Sequence, residues 1–458
     1  MNKLLARYAQ AGELSYTDII RRVVLTLKSD LTSWGLHLDS ISELTGARPG
    51  ATPRFIPAGR TLATANPQTG AILPNCTVLR FDSPERKPLL QQTVGIGTNF
   101  DEAKSEDDLE RMLRKAASEP QADGSGRTPG LMGTLHWKHP AARKFVSCKT
   151  QPGHGLRNFN LSLLVDNSSF FREPLSKFSA LCAWECGDPG ILFTNRINSE
   201  RARGRNMEEM TATAPCGELF LHEREVCTLG NLNLTAYVCD SKFDLGGVAR
   251  DVDLAVRFLD CVIDHYSLPS SAMRDVTNKL RRIGLGVMGW ATTLKSLGID
   301  YSSSEALDLA SSVAYVMRKT ADRCSRALAN EKGCATAACA GRRNVTCLAL
   351  PPTGGTAPLI GVSYGIEPEF NEAHRISPLD HIRMQAAWQK HIDAAVSKTV
   401  NLPSTSTPSD VEEVFQMAWK FDCKGVTVYR DNATVEAAAC STECAKPFIL
   451  QDSTALWN

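Results

Sequence analysis

The sequence predicts an α/β fold, and three observations carry that expectation. Short apolar, β-branched runs alternate with long amphipathic helical stretches through the second half, the pattern of parallel α/β architecture. The run F-N-L-S-L-L-V at 159–165 reads as a strand. The 458 residues are 43% hydrophobic and 22% charged, ordinary for a globular protein, and no run of about 18 apolar residues occurs that would cross a bilayer.

Taken in order, residues 1–50 form a helical, polar N-terminal region, with Ile19, Val23, Val24 and Leu27 at helical spacing. Residues 101–130 begin as a charged helix, D-L-E-R-M-L-R-K-A-A, and pass into the loop Q-A-D-G-S-G-R-T-P-G. A helix over 245–266 places Val248, Val252, Ala255, Leu259, Val262 and Tyr266 on one face, with Pro269 beyond its end. A second long helix starts near Ser304 and stops at Gly333. A third has Ser377 as N-cap and Pro378 at its first position. A fourth opens with S-D-V-E at 409–412, a capping box, and leads into the strand G-V-T-V-Y. Residues 436–458 are expected to be a mobile polar tail.

The formal net charge is +1, which supplies no field for nucleic acid or an anionic membrane. Arg7 interrupts the N-terminus too early for a signal-peptide core, so a cytoplasmic location is expected. Among the fifteen cysteines, Cys261 and Cys324 fall at helical spacing among apolar residues and read as small core hydrophobes. The surplus points to redox or catalytic thiols rather than a disulfide scaffold.

The segment A-P-C-G-E-L at 214–219 sets Cys216 between Pro215 and Gly217, which suits a tight exposed turn. Glu218 brings a carboxylate beside the thiol. That pairing raises a thiol's pKa and makes a poor thiolate nucleophile, but suits a sulfur that gives up a hydrogen atom while a carboxylate moves a proton. A second cysteine, Cys227, follows in V-C-T-L-G-N-L-N-L. The strand-like C-L-A-L at 347–350 runs into P-P-T-G-G-T-A, whose amides and hydroxyls suit a phosphate; the alternative is a plain turn. Gly284-x-Gly286-x-x-Gly289 invites a dinucleotide reading, but a charged, helix-like stretch precedes it where a buried strand is required. Its glycines instead suit close packing between helices. Cys440 and Cys444, in C-S-T-E-C, lack the further Cys or His that zinc requires nearby and read as a shuttle dithiol; no metal ligand set is assigned.

In this order the motifs resemble the large subunit of ribonucleotide reductase over roughly residues 50–445. They are F-I-P-A-G-R-T-L-A at 55–63, N-C at 75–76, N-F-N-L-S at 158–162, P-C-G-E at 215–218 and V-C-T-L-G-N-L-N-L at 226–234. R-I-G-L-G-V-M-G at 282–289, P-T-G-G-T-A through G-I-E-P-E-F at 352–370 and H-I-R-M-Q-A-A-W-Q at 381–389 follow, then S-K-T-V-N-L-P at 397–403 and K-G-V-T-V-Y-R at 424–430. The wording of P-C-G-E and the last two resembles the adenosylcobalamin-dependent class. Where class I enzymes carry two adjacent tyrosines as a radical relay, this chain has Val428-Tyr429.

The resemblance implies a ten-stranded α/β barrel over 51–435 in which a finger loop carries the radical cysteine to the centre. Cys216 matches that cysteine, and Glu218 the base that takes the 3′-hydroxyl proton. Cys76 and Cys227 match the pair that reduces the 2′ position and ends as a disulfide, and Cys440 and Cys444 the dithiol that re-reduces them. Asn75 and the loop Pro352, Thr353, Gly354, Gly355 and Thr356 match substrate-binding positions. The implied partners are a ribonucleotide and thioredoxin or glutaredoxin; adenosylcobalamin is the implied cofactor.

Three departures shape the expectations. Ala214 stands where the family has an asparagine that bonds the ribose, so another group has to orient the sugar or activity is impaired. The span from Cys76 to Asn158 is short: only V-G-I-G-T-N-F at 94–100 survives of a Gly-rich element, and the segments that build the effector site and dimer helices are hard to find. No N-terminal ATP-cone precedes the barrel. A monomer or weak homodimer without strong allosteric control is expected. The alternatives are a homologue that binds nucleotide without standard reduction and, on the glycine motif alone, a nicotinamide dehydrogenase.

Overall fold

The structure is a computed structural model and describes residues 7–33, 37–46, 52–119, 128–150, 153–156, 158–338, 341–369, 372–431 and 433. Its centre is a seven-stranded sheet in the order β13-β14-β6-β5-β4-β3-β2. The strands are β2 (Cys76–Val78), β3 (Gly95–Asn99), β4 (Leu131–His136), β5 (Phe159–Val165), β6 (Gly190–Phe193), β13 (Thr399–Leu402) and β14 (Gly425–Arg430). β2 through β6 run parallel, β14 is antiparallel to β6, and β13 is parallel to β14. A three-stranded sheet holds β1 (Phe55–Pro57), β9 (Leu229–Asn233) and β12 (Gly284–Met288), with β9 in the middle. Two short ribbons complete the strands: β7 (Ala212–Thr213) with β8 (Phe220–Leu221), and β10 (Val238–Cys239) with β11 (Lys242–Phe243).

The fold is α/β, as expected, but the described strands do not form one closed ten-stranded ladder. Between the two sheets, isolated bridges pair Thr77 of β2 with Val226, Leu285 of β12 with Leu348, and Leu350 with Val396. C-L-A-L is therefore not a strand. Pro351 and Pro352 follow it without N–H groups, so the pairing cannot extend. The parallel run also lies in the first half, with helices Arg86–Gln91, Glu106–Ser118, Ala142–Ser147 and Pro174–Cys186 as crossovers. The second half is dominated by helices.

The helix expectations hold closely. Helices span Tyr16–Ser33, Leu245–Asp264, Ser304–Lys332, Pro378–Gln389 and Pro408–Lys420. Ser377 caps the fourth of these through Asp380 N–H. The last begins two residues earlier than the S-D-V-E reading: Thr407 is the N-cap and Asp410 completes the box. Pro408 decides this, because its fixed φ suits the first helical position. R-I-G-L-G-V-M-G is a correction of another kind. Gly284 and Gly286 lie in the buried strand β12 rather than between helices. A Cβ at Gly286 would come 2.6 Å from the Ala349 carbonyl and from Asn231, which leaves no space for a pyrophosphate.

Candidate active site

The segment 212–221 folds as a β-hairpin, β7–β8, with Cys216 at its tip. Ala214 N–H donates to the Leu219 carbonyl and Gly217 N–H to the Ala214 carbonyl, both at 2.9 Å. Gly217 has φ 79°, which an L side chain rarely adopts. The hairpin lies against β2, β3 and β4. Glycines make that approach possible: a Cβ at Gly97 would lie 2.0 Å from the Thr213 carbonyl, and one at Gly95 3.0 Å from Pro215 Cγ. V-G-I-G-T-N-F thus supplies an inner strand of the sheet, β3, that receives the hairpin. Three side chains hold the hairpin's carbonyls. Thr134 Oγ1 and Asn99 Nδ2 donate to Thr211 at 2.7 and 3.3 Å, and Asn160 Nδ2 donates to Pro215 at 2.8 Å.

Cys216 and Pro215 border a cavity of about 190 Å³. Its walls come from β5 and β6 (Asn160, Ser162, Gly190), from β13 and β14 (Thr399, Asn401, Thr427, Val428, Tyr429) and from Glu367 and Lys398. Glu218 is buried below the tip. Burial pushes its carboxyl up to about 7, and Oε2 has no hydrogen-bond partner among the described residues. It stands in an apolar cluster containing Ala214, Leu219, Cys227 and Ala394. An unpaired acid in such surroundings is held near neutrality and can take a proton at physiological pH.

Cys76 and Cys227, 151 residues apart, meet across the bridge beside the hairpin. Cys76 N–H donates to Cys227 Sγ at 3.1 Å, and Cys227 N–H to the Cys76 carbonyl at 2.9 Å. Burial, then Cys76, then Glu218 push the Cys227 thiol well above its ordinary range. No disulfide joins the two. Cys216, Glu218, Cys76 and Cys227 are therefore brought together. Asn75 is not at the cavity: its Oδ1 accepts Arg60 N–H at 2.8 Å, and its carbonyl accepts Gly95 N–H. Of the loop 352–356 only Pro352 borders the cavity. Thr353 Oγ1 accepts Gly365 N–H at 2.8 Å, and the Gly355 carbonyl accepts Tyr8 Oη–H at 2.8 Å. Cys440 and Cys444 lie outside the described residues.

Sequence reasoning quoted three motifs without seeing that they converge. Lys398, from S-K-T-V-N-L-P, donates to Glu367, to His381 Nδ1 at 2.8 Å and to the Thr399 carbonyl at 3.1 Å. Glu367 comes from G-I-E-P-E-F and His381 from H-I-R-M-Q. All three ammonium protons are satisfied, so a buried charge is tolerated in the cavity wall. Burial lowers the pKa of Lys398 and, with Lys398 beside it, that of His381. Asn160 stands in the strand F-N-L-S-L-L-V and in the motif N-F-N-L-S at 158–162, where no role is assigned to it from sequence; a polar side chain inside an apolar strand was the available signal.

A seven-stranded α/β sheet thus receives a cysteine-tipped hairpin, with a thiol pair and a buried carboxyl beside it. Residues 171–338 and 369–429 match the family "Ribonucleotide reductase, barrel domain". The chain is 30% identical to the vitamin B12-dependent ribonucleoside-diphosphate reductase of Thermoplasma acidophilum, over 91% of this chain and 68% of that protein. It belongs to the ribonucleotide reductase family. The Mycobacterium tuberculosis enzyme of the same name is 33% identical over 72% of this chain and 60% of its own length. That match runs over 422 positions while drawing on 72% of this chain, so an internal stretch of the relative has no counterpart here. Among solved structures, the Actinobacillus ureae class Id ribonucleotide reductase alpha subunit superposes with a TM-score of 0.78 at 17% identity, covering 94% of this chain and 96% of that one. The two share a fold.

Proposed function

We propose that this chain reduces ribonucleotides to 2′-deoxyribonucleotides by thiyl-radical chemistry with adenosylcobalamin as cofactor. One observation supports the reading: Cys216 borders the cavity, and Glu218 and the pair Cys76–Cys227 stand together beside the same hairpin, though they come from distant parts of the chain. The seven- and three-stranded sheets are then two sectors of a ten-stranded barrel, with residues 51–435 as its domain and the single bridges at its seams.

Adenosylcobalamin suits a small, apolar part of the cavity wall. Gly187, Gly190, Val426 and Val428 make that wall small and apolar, and Val428 in place of a tyrosine leaves no tyrosine pair for a protein-borne relay. These residues with Tyr429 would face it, and when bound it supplies the radical chemistry that activates a thiol. The chain's own groups do the rest. The Cys216 sulfur takes the 3′ hydrogen atom and later returns it. Glu218 takes the 3′-hydroxyl proton. The 2′-hydroxyl leaves as water, and Cys76 and Cys227 supply two electrons and two protons, becoming a disulfide. A dithiol at Cys440 and Cys444 restores the pair by exchange with thioredoxin or glutaredoxin.

Incubation of the purified protein with adenosylcobalamin, dithiothreitol and each ribonucleotide tests the reading, with deoxynucleotide formation expected. A second reading, nucleotide binding without reduction, is favoured by Ala214, which offers the ribose no side-chain donor. Tight binding without product would establish it and overturn the first.

A further inference from the structure

We propose that Asp30, Cys261 and His265 form a binding site for a divalent cation of the Zn²⁺ type, which fastens helix Tyr16–Ser33 to helix Leu245–Asp264. The site is separate from the cavity and from the thiols assigned to reduction. Cys261 and His265 are four residues apart at the end of the longer helix, so both face the same way. Asp30 reaches them from the N-terminal helix. One ligand atom from each lies within 4.8 Å of the others.

The orientation of His265 is what marks the site. Its Nδ1 lies 2.6 Å from the Gly70 carbonyl and its Nε2 2.6 Å from Asp30 Oδ2. Both ring nitrogens thus face an acceptor oxygen, and a neutral imidazole has one N–H to give. With Nδ1–H donated to Gly70, the Nε2 lone pair and Asp30 Oδ2 are two ligand atoms that one cation can bridge. A ring nitrogen donated to a backbone carbonyl, with the other aimed at a carboxylate, is the outer-shell arrangement that ligating histidines use. The backbone is fixed as well, since the His265 carbonyl accepts Ile72 N–H at 2.9 Å.

The donor set selects the ion. One thiol, one imidazole and one carboxylate match the borderline-soft preference and tetrahedral geometry of zinc rather than Mg²⁺ or Ca²⁺. Cys261 is fully buried, while the Asp30 side chain is 42% exposed. The fourth position therefore opens to water on the Asp30 side. Zinc–ligand bonds of about 2.0–2.3 Å place donors roughly 3.2–3.8 Å apart, so Asp30 swings outward by under about 1 Å to admit the ion. Entry releases the thiol proton of Cys261. The nearby Asp260 and Asp264 are engaged by Arg281, at 2.9 and 2.7 Å, and do not compete.

The test uses the full chain carrying Cys440→Ser and Cys444→Ser, which removes the tail thiols as ligands. After chelator treatment, Co²⁺ titration is expected to give one equivalent with a thiolate-to-cobalt charge-transfer band and tetrahedral ligand-field bands, both displaced by Zn²⁺. Cys261→Ala should abolish the charge-transfer band. His265→Gln and Asp30→Asn should each weaken Co²⁺ binding at least about tenfold. Zn²⁺ should raise the Tm of the parent and leave that of His265→Gln unchanged. Absence of the charge-transfer band, or equal affinity in parent and His265→Gln, overturns the proposal. His265→Gln decides the matter even where Cys261→Ala fails to fold.

Discussion

Glu218 holds one buried carboxylate oxygen with no hydrogen-bond partner among the described residues, and that predicts two opposed effects. As a base it must be ionised, so turnover should rise with pH through about 7, the value to which burial pushes it. Glu218→Gln should remove that limb and lower turnover by about 10²–10⁴-fold, measured as a pH–rate profile. Stability should move the other way. An acid whose folded pKa is raised destabilises the fold in its charged form. The penalty is absent below the ordinary 4.5, grows up to about 7 and is constant above. A shift of that size corresponds to about 3 kcal/mol. Urea unfolding should therefore find Glu218→Gln more stable than the parent at pH 8 by up to that amount, and equal near pH 4. Cys216→Ser should keep the fold and lower deoxynucleotide formation by at least about three orders of magnitude, because an O–H bond is too strong for reversible hydrogen transfer to a carbon radical. Substantial product from that variant would remove Cys216 from its role.

The hairpin β7–β8 and strand β3 form one fitted unit. Gly97→Ala places a methyl carbon 2.0 Å from the Thr213 carbonyl, and backbone cannot yield there without moving the tip. A loss of about 1–3 kcal/mol in denaturant unfolding is expected, with turnover falling further than stability because Cys216 shifts. Unchanged turnover would show that the tip is positioned by something other than this contact. The same unit marks the boundary of what the sequence revealed. Helices were legible because their signals are local: Ser377 and Pro378 announce a helix start wherever they fall, and the face Val248–Val252–Ala255 needs no partner to be recognised. The turn at Cys216 was legible from Pro215 and Gly217 for the same reason. Gly97 and Gly286 were not, because what they accommodate, Thr213 and Asn231, is remote in sequence. The convergence of Lys398, Glu367 and His381 was hidden likewise, as was the fact that Asn75 and Thr353 spend their polar atoms on backbone. Chemistry was readable in the motifs, while the partner of each group was fixed by topology.

At the scale of the molecule, residues between β3 and β4 are used for the crossover helix Glu106–Ser118 and for the sheet itself. The short span after Cys76 is expected to build no effector pocket, and an effector biases the active-site loop only through differential binding at a second site. dATP, dTTP and dGTP are expected to alter substrate preference by less than about threefold, below usual coupling energies, when reduction of all four ribonucleotides is measured with and without each. A strong switch in base preference would show that residues 94–130 also build an effector site. Removing Cys440 and Cys444 should block turnover driven by thioredoxin and spare a single turnover of prereduced enzyme. A full loss of the single turnover would place those cysteines in the chemistry itself.

The meeting of Cys76 with Cys227 also bears on how the chain reaches its native state. Those thiols are 151 residues apart, and the sheet that aligns them joins strands from residue 76 to residue 430. Such non-local pairing is slow to form, because loop-closure entropy opposes it until many contacts act together. Throughout that interval the thiols of a fifteen-cysteine chain are exposed to one another. Air oxidation on the timescale of folding would then join whichever sulfurs collide first, and local pairs such as Cys182 with Cys186 collide far more often than Cys76 with Cys227. Recovery from denaturant should accordingly depend on reductant during refolding, even though no disulfide joins cysteines among the described residues.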